Sequence, residues 1–373
     1  MAHFTTIEIE PGPAGVQAAL RAVHALFEEE QSVALVPTSN PAARAALMEG
    51  EPLHTDEPTL LLSTSGSLGR PRAVELTVSA LAAAAMASAA YFRSEAVWLT
   101  ALPVTGIGGL NTVIRSALAG VQPIAWQGEG SWSAAFLAAN VEECVGWARR
   151  QGMSAATSLV PTQLHRIAEH PGGLDLLARL DYVLVGGGAT PTDLGERAEG
   201  AGVRLVRTYG ATESCGGVVY NGEALEGVEL SISEAGEVLI TSPTNATCYR
   251  DGNPIAPTWA TGDRGMIASG MLQVLGRADE VVKVAGHKVD LAQLAAAVRE
   301  LPDVAEVAVV AVDDAQYGKL PVVAYTGTAA AERVVAAALA HLGGARLPLR
   351  AKACAELPLL PNGKPDRQAI AAL

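Results

Sequence analysis

Short runs of β-branched residues and leucine alternate with longer segments of helical spacing over the first half of the chain. This alternation is typical of a layered α/β protein, because each apolar strand needs helices to cover its sheet. Buried strands are predicted over Thr59–Leu62, Val97–Thr100, Asp181–Val185 and Val203–Val206. Helices are predicted over Ser133–Arg150, with Ser131 or Ser133 as the cap, and over Thr192–Gly200 after Pro191.

The pattern changes at Gly216 to short strands separated by glycine turns. These predict a small β-subdomain with strands over Gly227–Ile232, Gly236–Thr241 and Gly270–Gly276. The order then becomes strand, helix, strand, strand, helix, over Val281–Val284, Leu291–Glu300, Val304–Val312, Leu320–Tyr325 and Ala329–Leu342. We therefore expect an α/β fold with a large layered N-terminal domain over residues 1–276 and a compact α+β C-terminal domain over residues 277–373.

Composition narrows the classes of function. A chain of 373 residues is long enough for one large and one smaller domain. The formal net charge of −13 argues against a nucleic-acid-binding surface, which needs clustered Lys and Arg. The four cysteines show no zinc-site spacing and the N-terminus no secretory signal, so we expect a cytoplasmic protein. The most apolar stretch, Leu76–Phe92, is short for a membrane span and predicts a buried helix. The oligomeric state is left open, and a homo-oligomer is one option.

A loop rich in hydroxyl groups and glycine follows the predicted strand Thr59–Leu62. Its hydroxyls and backbone N–H groups can surround phosphate oxygens, and its two arginines can add charge-assisted hydrogen bonds. The candidate phosphate-binding residues are Ser63, Thr64, Ser65, Gly66, Ser67, Gly69 and Arg72. The Gly-Lys-Ser/Thr ending of a Walker loop is missing. Taken alone, the segment is better interpreted as a surface loop.

A hydroxyl and a carboxylate, Thr212 and Glu213, follow the predicted strand Val203–Val206. In α/β sheets, ligands bind at the carboxyl ends of the strands. A carboxylate at this place could hold Mg²⁺ against phosphate oxygens. A Thr–Glu pair that caps a helix is the equal alternative.

Two later segments have side chains suited to ribose, and a third has a cation on a loop. Asp263 follows Gly262 and can accept hydrogen bonds from two ribose hydroxyls, while Arg277 can donate to ribose or phosphate. Each is also explained by ordinary Asp–Gly turns. Lys364 lies on a loop of Pro, Asn and Gly, from which it could meet charge that develops on a phosphate. Such a lysine is usually only solvated.

In their order along the chain, these segments resemble the motifs of the adenylate-forming superfamily of acyl-CoA synthetases, adenylation domains and luciferases. The resemblance extends from about Leu60 to Arg367. It implies an enzyme that uses ATP and Mg²⁺ to convert a carboxylic acid to its acyl-adenylate, and then transfers the acyl group to coenzyme A. It also implies that the loop over Ser63–Arg72 holds the β- and γ-phosphates, and that a mobile C-terminal domain swings about a hinge at Asp279.

The resemblance assigns roles to further residues. Thr212 would contact the α-phosphate, Glu213 would bind Mg²⁺, and Lys364 would bridge the acyl carboxylate and the α-phosphate. The remaining nucleotide contacts implied are Gly187, Gly188, Ala189 and Thr190 along adenine, Asp263 and Arg277 on ribose, and Tyr209 with Gly210. In the second step Lys364 would leave, and residues 281–289 would help form a CoA tunnel, with Lys283, His287 and Lys288 as its candidate contacts.

Within the superfamily, the segments Leu102–Gly120 and Arg207–Gly222 most resemble the o-succinylbenzoate:CoA ligases of menaquinone biosynthesis, in the short form typical of actinobacteria. This resemblance implies that the succinyl carboxylate is the one adenylated. The positions that would border the acyl pocket are Thr105, Ile107, Tyr209, Gly210 and Cys215. Core packing is an equal alternative for Ile107 and Cys215.

The chain departs from the superfamily pattern at four positions. Leu68 replaces a usual Thr, Arg72 a Lys, Gly106 a His and Gln293 a Glu, and the N-terminal stretch is shorter than in typical members. Two alternatives therefore stand beside the main hypothesis. One is an adenylating enzyme for another acid, which could load a carrier protein, and the other is a degenerate nucleotide-binding homologue without turnover.

Overall fold

The computed structural model describes residues 4–48, 52–64, 71–126, 134–341, 347–359 and 365–373. The chain forms two compact units. The first comprises Met1–Leu230, Ile240–Trp259 and Ser269–Leu272, and the second comprises Ser231–Leu239, Ala260–Ala268 and Gln273–Leu373. The second unit thus takes in three segments that precede the sequence-based boundary at residue 277, namely Ser231–Leu239, Ala260–Ala268 and residues 273–276. A swing about Asp279 stays a prediction.

Strands and helices alternate through the first unit, and strands dominate the middle of the chain. The strands are β1 (Phe4–Ile9), β2 (Ser32–Pro37), β3 (Thr59–Thr64), β4 (Arg72–Thr77), β5 (Ala96–Thr100), β6 (Ile124–Ala125), β7 (Ser154–Leu159), β8 (Tyr182–Val185), β9 (Leu205–Ala211), β10 (Gly216–Tyr220), β11 (Glu223–Ala224), β12 (Glu229–Ile232), β13 (Glu237–Thr241), β14 (Cys248–Tyr249), β15 (Thr258–Ala268), β16 (Met271–Arg277), β17 (Val281–Val284), β18 (His287–Asp290), β19 (Val304–Asp314), β20 (Gly318–Gly327) and β21 (Arg350–Ala353). The α-helices are α1 (Pro13–Phe27), α2 (Pro41–Met48), α3 (Val78–Phe92), α4 (Ile107–Leu118), α5 (Ala134–Gln151), α6 (Pro161–Ala168), α7 (Gly173–Leu177), α8 (Thr192–Gly200), α9 (Leu291–Arg299), α10 (Ala331–His341) and α11 (Arg367–Ala371). Single 3-10 turns cover Thr212–Ser214 and Ala278–Glu280.

The first sheet has the order β1-β2-β3-β4-β14. Its first three strands run parallel, whereas β3, β4 and β14 pair antiparallel. The predicted phosphate loop therefore joins two hairpin strands, with Thr64 opposite Arg72 in the register. Buried apolar residues of α1, α3 and α4 form one core cluster with this sheet. The sheet thus fixes both ends of the loop.

Helix α3 begins where β4 ends. The hydroxyl of Thr77 caps it by accepting a hydrogen bond from the backbone N–H of Ala80, 3.3 Å away. The helix is mostly alanine, the residue with the highest helix propensity, and it stops at Arg93 in the left-handed conformation. The apolar stretch predicted as a helix over Leu76–Phe92 is thus a strand end followed by a helix of 15 residues. Nowhere in the described ranges is a helix both long and apolar enough to cross a membrane.

The second sheet has the order β11-β10-β9-β8-β7-β5-β6. All pairings among β5 to β9 are parallel, and only β10 and β11 run antiparallel at the far edge. Helices α5, α6, α7 and α8 supply apolar residues to a separate core cluster with these strands. The carboxyl ends of β5, β7, β8 and β9 therefore meet along one edge.

The second unit has its own core. Strands β17 to β20 form a sheet in the order β18-β17-β20-β19, to which β21 adds in parallel. Helices α9 and α10 contribute Leu294, Val298 and Val334 to the apolar cluster against this sheet. A further sheet of four strands has the order β12-β13-β15-β16.

The predicted α/β architecture is confirmed, and each predicted strand and helix exists with its ends shifted by a few residues. The proposed caps Ser131 and Ser133 of α5 lie outside the described residues. The interpretation of Asp263 as part of an Asp–Gly turn is wrong, because Thr261–Arg264 lie inside the 11-residue strand β15. Gly262 suggested a turn, but glycine is needed there for another reason. The residue has a positive φ of 76° within the strand, and a side chain at this position would approach the guanidinium of Arg277.

Candidate active site

Three of the predicted contact regions lie at the carboxyl edge of the second sheet. Gly187–Thr190 follow β8, and Thr212–Glu213 follow the adjacent strand β9. Thr105 lies between β5 and α4, Gly106 is the residue that caps that helix, and Ile107 is its first residue. Open α/β sheets bind their ligands at this edge. The structure thus brings together residues that are far apart in sequence.

Glu213 lies in a tight turn that its neighbour stabilises. The hydroxyl of Ser214, which is fully buried, accepts a hydrogen bond from the N–H of Ala211 at 3.0 Å and donates to the carbonyl of Gly216 at 2.9 Å. The Glu213 carbonyl accepts a hydrogen bond from the N–H of Ala246 at 2.7 Å. The turn is a single 3-10 turn and not the start of an α-helix, so the helix-cap interpretation of Thr212 and Glu213 is wrong. The backbone of the predicted Mg²⁺ ligand is therefore well fixed.

Tyr249 on β14 contacts the carboxylate of Glu213. Its hydroxyl donates to Oε1 of Glu213 over 3.1 Å. The guanidinium of Arg72 lies over the Tyr249 ring, with 3.5 Å between Cζ and the ring centroid. Arg72 also forms an ion pair with Asp251 at 3.0 Å. A chain of contacts thus leads from the end of the phosphate loop to Glu213.

The titration of these groups follows from their surroundings. Burial raises the pKa of Tyr249, and the charge of Glu213 and its hydrogen bond act in the same direction. Tyr249 is therefore protonated at neutral pH and able to donate. Burial acts to raise the pKa of Asp251, but hydrogen bonds from Asn253 and Arg72 outweigh it and lower that pKa.

The predicted acyl-pocket residues lie around the start of α4 and the segment after Glu213. Asn111 on α4 donates to the carbonyl of Cys215 over 2.9 Å, and Ile107 packs in the same apolar cluster as Cys215. Cys215 is fully buried, which favours core packing for this residue. A side chain at Gly210 would meet the backbone carbonyl of Gly216, so the close pairing of β9 and β10 requires glycine there.

In the second unit, Arg277 is surrounded by acceptors. Its Nη1 donates to the carbonyl of Thr261 at 3.0 Å and lies 3.4 Å from Oδ1 of Asp263. Its Nε donates to Asp279 at 3.1 Å. Burial lowers the pKa of Arg277, but the hydrogen bonds and charges of Asp279 and Asp263 outweigh it and raise that pKa. The structure thus brings together the two predicted ribose residues and the predicted hinge residue.

The three predicted CoA residues lie on the hairpin formed by β17 and β18. Lys283 faces Lys288 in the register, and His287 faces Val284. All three predicted residues are exposed, whereas Val284 and Val289 are buried. The turn residues Ala285 and Gly286 both have positive φ, the geometry of the tightest hairpin turns.

Several predicted residues lie outside the described part of the chain. These are Ser65, Gly66, Ser67 and Gly69 of the phosphate loop, the variant position Leu68, and Lys364. Their roles stay predictions. Ser63 and Thr64 are described and form the last two positions of β3.

Tyr249 and Asp251 were missed by the sequence-based search. No local motif marks them, because Tyr249 reaches Glu213 only through the pairing of β14 with β4. A charged residue two positions after an aromatic residue is too common a pattern to be a signal.

One group of metal-ligand side chains occurs among the described residues. Single ligand atoms of His54, Glu75 and Cys248 lie within 4.8 Å of one another. The buried carboxylate of Glu75, however, already pairs with Nη1 of Arg250 at 3.2 Å. It also accepts from the N–H of His54 and from Cys248 Sγ, and His54 Nδ1 lies 3.0 Å from it. We interpret the group as a buried ion-pair network.

Two family models match this chain. The model described as AMP-binding enzyme matches residues 14–239, and the model described as AMP-binding enzyme C-terminal domain matches residues 293–364. The first match alone covers more than half of the chain.

Individual proteins are similar over most of the chain. The Probable 2-succinylbenzoate–CoA ligase of Mycobacterium tuberculosis (strain CDC 1551 / Oshkosh) is 36% identical over 306 residues, 79% of this chain and 77% of the relative. The 2-succinylbenzoate–CoA ligase of Escherichia coli (strain K12) is 30% identical over 74% of this chain, which spans 61% of that relative. The o-succinylbenzoate coenzyme A synthetase from Bacillus subtilis, solved with ATP and magnesium ion, superimposes with a TM-score of 0.75 at 20% identity, covering 98% of this chain and 89% of that one. This last likeness shows the fold.

Proposed function

Because this chain belongs to the AMP-binding enzyme family, we propose that it is an ATP-dependent ligase that adenylates o-succinylbenzoate and passes the acyl group to coenzyme A. The relatives from M. tuberculosis and E. coli carry this activity in their names. The observation that carries the proposal is the convergence of three regions at one sheet edge. They are the start of α4 for the acid, Gly187–Thr190 for adenine, and Thr212–Glu213 for the phosphates and their cation.

The reaction we assign has two steps. An oxygen of the succinyl carboxylate attacks the α-phosphorus of ATP, and pyrophosphate leaves. The sulfur of coenzyme A then attacks the carbonyl carbon of the mixed anhydride, AMP leaves, and the thiol proton is lost to solvent. Two anions meet in the first step, so its barrier falls when fixed cations neutralise the developing charge.

The carboxylate of Glu213 suits Mg²⁺, which prefers oxygen ligands. Within the described residues, Oε1 accepts the hydrogen bond of Tyr249 and Oε2 accepts none. Mg²⁺ held there would supply positive charge to the phosphate oxygens of ATP. We assign to Lys364 the contact with the acyl carboxylate and the α-phosphate, and to Asp263 and Arg277 the contacts with ribose.

The exposed side chains of Lys283, His287 and Lys288 support the assignment of coenzyme A to the hairpin of β17 and β18. Coenzyme A carries several phosphate groups, and lysines bind phosphates as point charges. Free coenzyme A is therefore the acceptor that we propose.

The proposal is tested by thioester formation. The purified chain is incubated with ATP, Mg²⁺, coenzyme A and either o-succinylbenzoate or one of a panel of aryl and fatty acids, and products are identified by mass spectrometry. We expect o-succinylbenzoyl-CoA alone. Glu213→Gln should lose the reaction, whereas Glu199→Gln, which changes an exposed carboxylate paired with Arg207, should keep it.

Other outcomes separate the alternatives. A thioester of a different acid would keep the ligase class and reject the assigned acid. Acylation of a carrier protein without product from free coenzyme A would reject the assigned acceptor. Binding of ATP without acid-dependent pyrophosphate exchange would reject catalysis and support a degenerate homologue.

A further inference from the structure

The contact between Tyr249 and Glu213 gives the carboxylate a defined orientation. The Tyr249 hydroxyl donates to Oε1 over 3.1 Å. A carboxylate held by one oxygen presents the other in a fixed direction, whereas an unrestrained side chain samples several rotamers. In metal sites, partners of this kind that hydrogen-bond a ligand are important for affinity.

We propose that Tyr249 is a positioning residue that holds the Glu213 carboxylate ready for the divalent cation bound with ATP. This inference rests on the proposed function, because it takes Glu213 as the ligand of that cation. Tyr249 itself touches neither substrate nor cation in this scheme. It acts through Glu213.

Three independent contacts keep Tyr249 in place. Its backbone pairs with Val74 of β4, and its N–H donates to the carbonyl of Asn253 over 2.9 Å. The third contact is the stacked guanidinium of Arg72, which also forms an ion pair of 3.0 Å with Asp251. The hydroxyl is therefore fixed by β14 and by the first residue of β4, and not only by Glu213.

Arg72 links the same array to the phosphate loop. It is the first residue of β4, directly after that loop, and its charge is shared between the Tyr249 ring and Asp251. Cation–π contact and ion pair together hold the ring without occupying the hydroxyl. The start of β4 and the turn that carries Glu213 are thus joined through a single aromatic side chain.

The test removes one atom. Tyr249→Phe keeps the ring and its stacking on Arg72 but loses the hydrogen bond to Glu213. Acid-dependent pyrophosphate exchange is measured against Mg²⁺ concentration at saturating ATP and acid. We expect the Mg²⁺ concentration at half-maximal rate to rise about tenfold, with a much smaller change in the rate at saturating Mg²⁺. Binding of Mn²⁺ to the ATP-loaded protein, followed by electron paramagnetic resonance, should weaken by a similar factor without any turnover.

The matched control is Tyr325→Phe. Tyr325 lies in the second unit and also loses a hydrogen-bonding hydroxyl, which donates to the carbonyl of Ala329 over 2.9 Å. Its Mg²⁺ dependence should equal that of the wild type. A merely structural role for Tyr249 would lower thermal stability or the rate at every Mg²⁺ concentration, and would leave the half-saturating concentration unchanged.

The outcomes distinguish this inference from the proposed function. If wild-type protein shows no Mg²⁺-dependent pyrophosphate exchange with any acid, the proposed function is wrong and the inference is overturned with it. If the wild type is active and Tyr249→Phe has the wild-type Mg²⁺ dependence and Mn²⁺ affinity, only the inference is overturned. A selective rise in the Mg²⁺ requirement supports it.

Discussion

Lys283 lies directly opposite Lys288 in the antiparallel hairpin of β17 and β18. Residues that face each other in this way have Cβ atoms about 5 Å apart, so two positive charges share one face of the hairpin. Like charges in opposing positions destabilise a sheet. An anion bound at this place would offset the repulsion, and coenzyme A is the anion that we assign.

The first prediction concerns these two lysines. In the double variant Lys283→Ala/Lys288→Ala, the KM for coenzyme A should rise by about fivefold or more for each lysine removed. A charge-assisted contact at an exposed position contributes about 1 kcal/mol. Acid-dependent pyrophosphate exchange, which precedes the coenzyme A step, should not change. The measurement is thioester formation against coenzyme A concentration, with pyrophosphate exchange run in parallel.

The matched control is Lys319→Ala, which removes a partly exposed lysine of the same unit that pairs with Asp313 at 2.7 Å. Its KM for coenzyme A should equal that of the wild type. An unchanged KM in the double lysine variant would show that the hairpin does not bind coenzyme A.

The second prediction concerns Lys364. Lys364→Ala should slow adenylation by about 10² or more, because it deletes the cation that we assign to a step in which two anions meet. Thioester formation from added acyl-adenylate should be almost unaffected, because Lys364 is assigned to the first step only. Single-turnover measurements of each half-reaction check this. Adenylation near the wild-type rate would reject the assigned role.

The elements that sequence predicts well here are those whose signal is local. Strands β3, β5 and β8 are apolar runs of the kind that a sheet buries, and β9 begins with the buried pair Leu205 and Val206. The strand ends next to Ser63, Gly187 and Glu213 could therefore be located from pattern alone. Of the hairpin that carries Lys283 and Lys288, only the first strand was predicted, over Val281–Val284, and the second strand, β18, was missed.

The parts that sequence could not predict depend on pairing between distant segments. Tyr249 and Glu213 are 36 residues apart, and Arg72 and Asp251 are 179 residues apart. No local sequence pattern predicts either contact, because both contacts depend on the pairing of β14 with the edge of the first sheet. The turn predicted at Gly262 is wrong although its signal is local. The pairing of β15 with β13 and β16 keeps this segment extended.

The third prediction concerns the cysteines. Cys144, Cys215 and Cys248 are buried, and burial raises the pKa of Cys144 to about 12 and that of Cys248 to about 11. Only thiolates react with iodoacetamide, so these thiols should be almost inert at pH 8, while the partly exposed Cys354 is alkylated first. Peptide mass spectrometry of native protein gives the order, and protein in urea gives the control. Equal labelling of Cys248 and Cys354 in native protein would contradict the burial.

The same pKa values predict the response of stability to alkaline pH. Folding raises the pKa of Cys248 from 9.0 to about 11, so between these values the folded chain binds more protons than the unfolded chain. The contribution of Cys248 to the free energy of unfolding should therefore be fully present below about pH 9 and decrease as the pH rises towards 11. In Cys248→Ala the fall in the free energy of unfolding should be shallower, which chemical denaturation at pH 8 and pH 10.5 measures. An identical fall in both proteins would reject the contribution of Cys248.

The fourth prediction concerns the ion pair of Arg250 and Glu75, whose side chains are 4% and 0% exposed. Arg250→Met removes the positive charge and leaves the carboxylate buried among neutral donors. Breaking a buried pair in this way costs about 3–5 kcal/mol, because the remaining charge has lost both water and partner. Urea denaturation at pH 7 should show a loss in the free energy of unfolding within that range.

Two further variants make that result specific. Arg44→Met removes an exposed pair with Glu8, which is 2.7 Å long but solvated on both sides, and should cost less than about 1 kcal/mol. Glu75→Gln/Arg250→Met leaves no charge buried and should recover part of the loss seen in Arg250→Met alone. If Arg250→Met costs no more than Arg44→Met, the carboxylate of Glu75 is balanced by another group, and a cation held with His54 and Cys248 becomes the explanation to test by metal analysis.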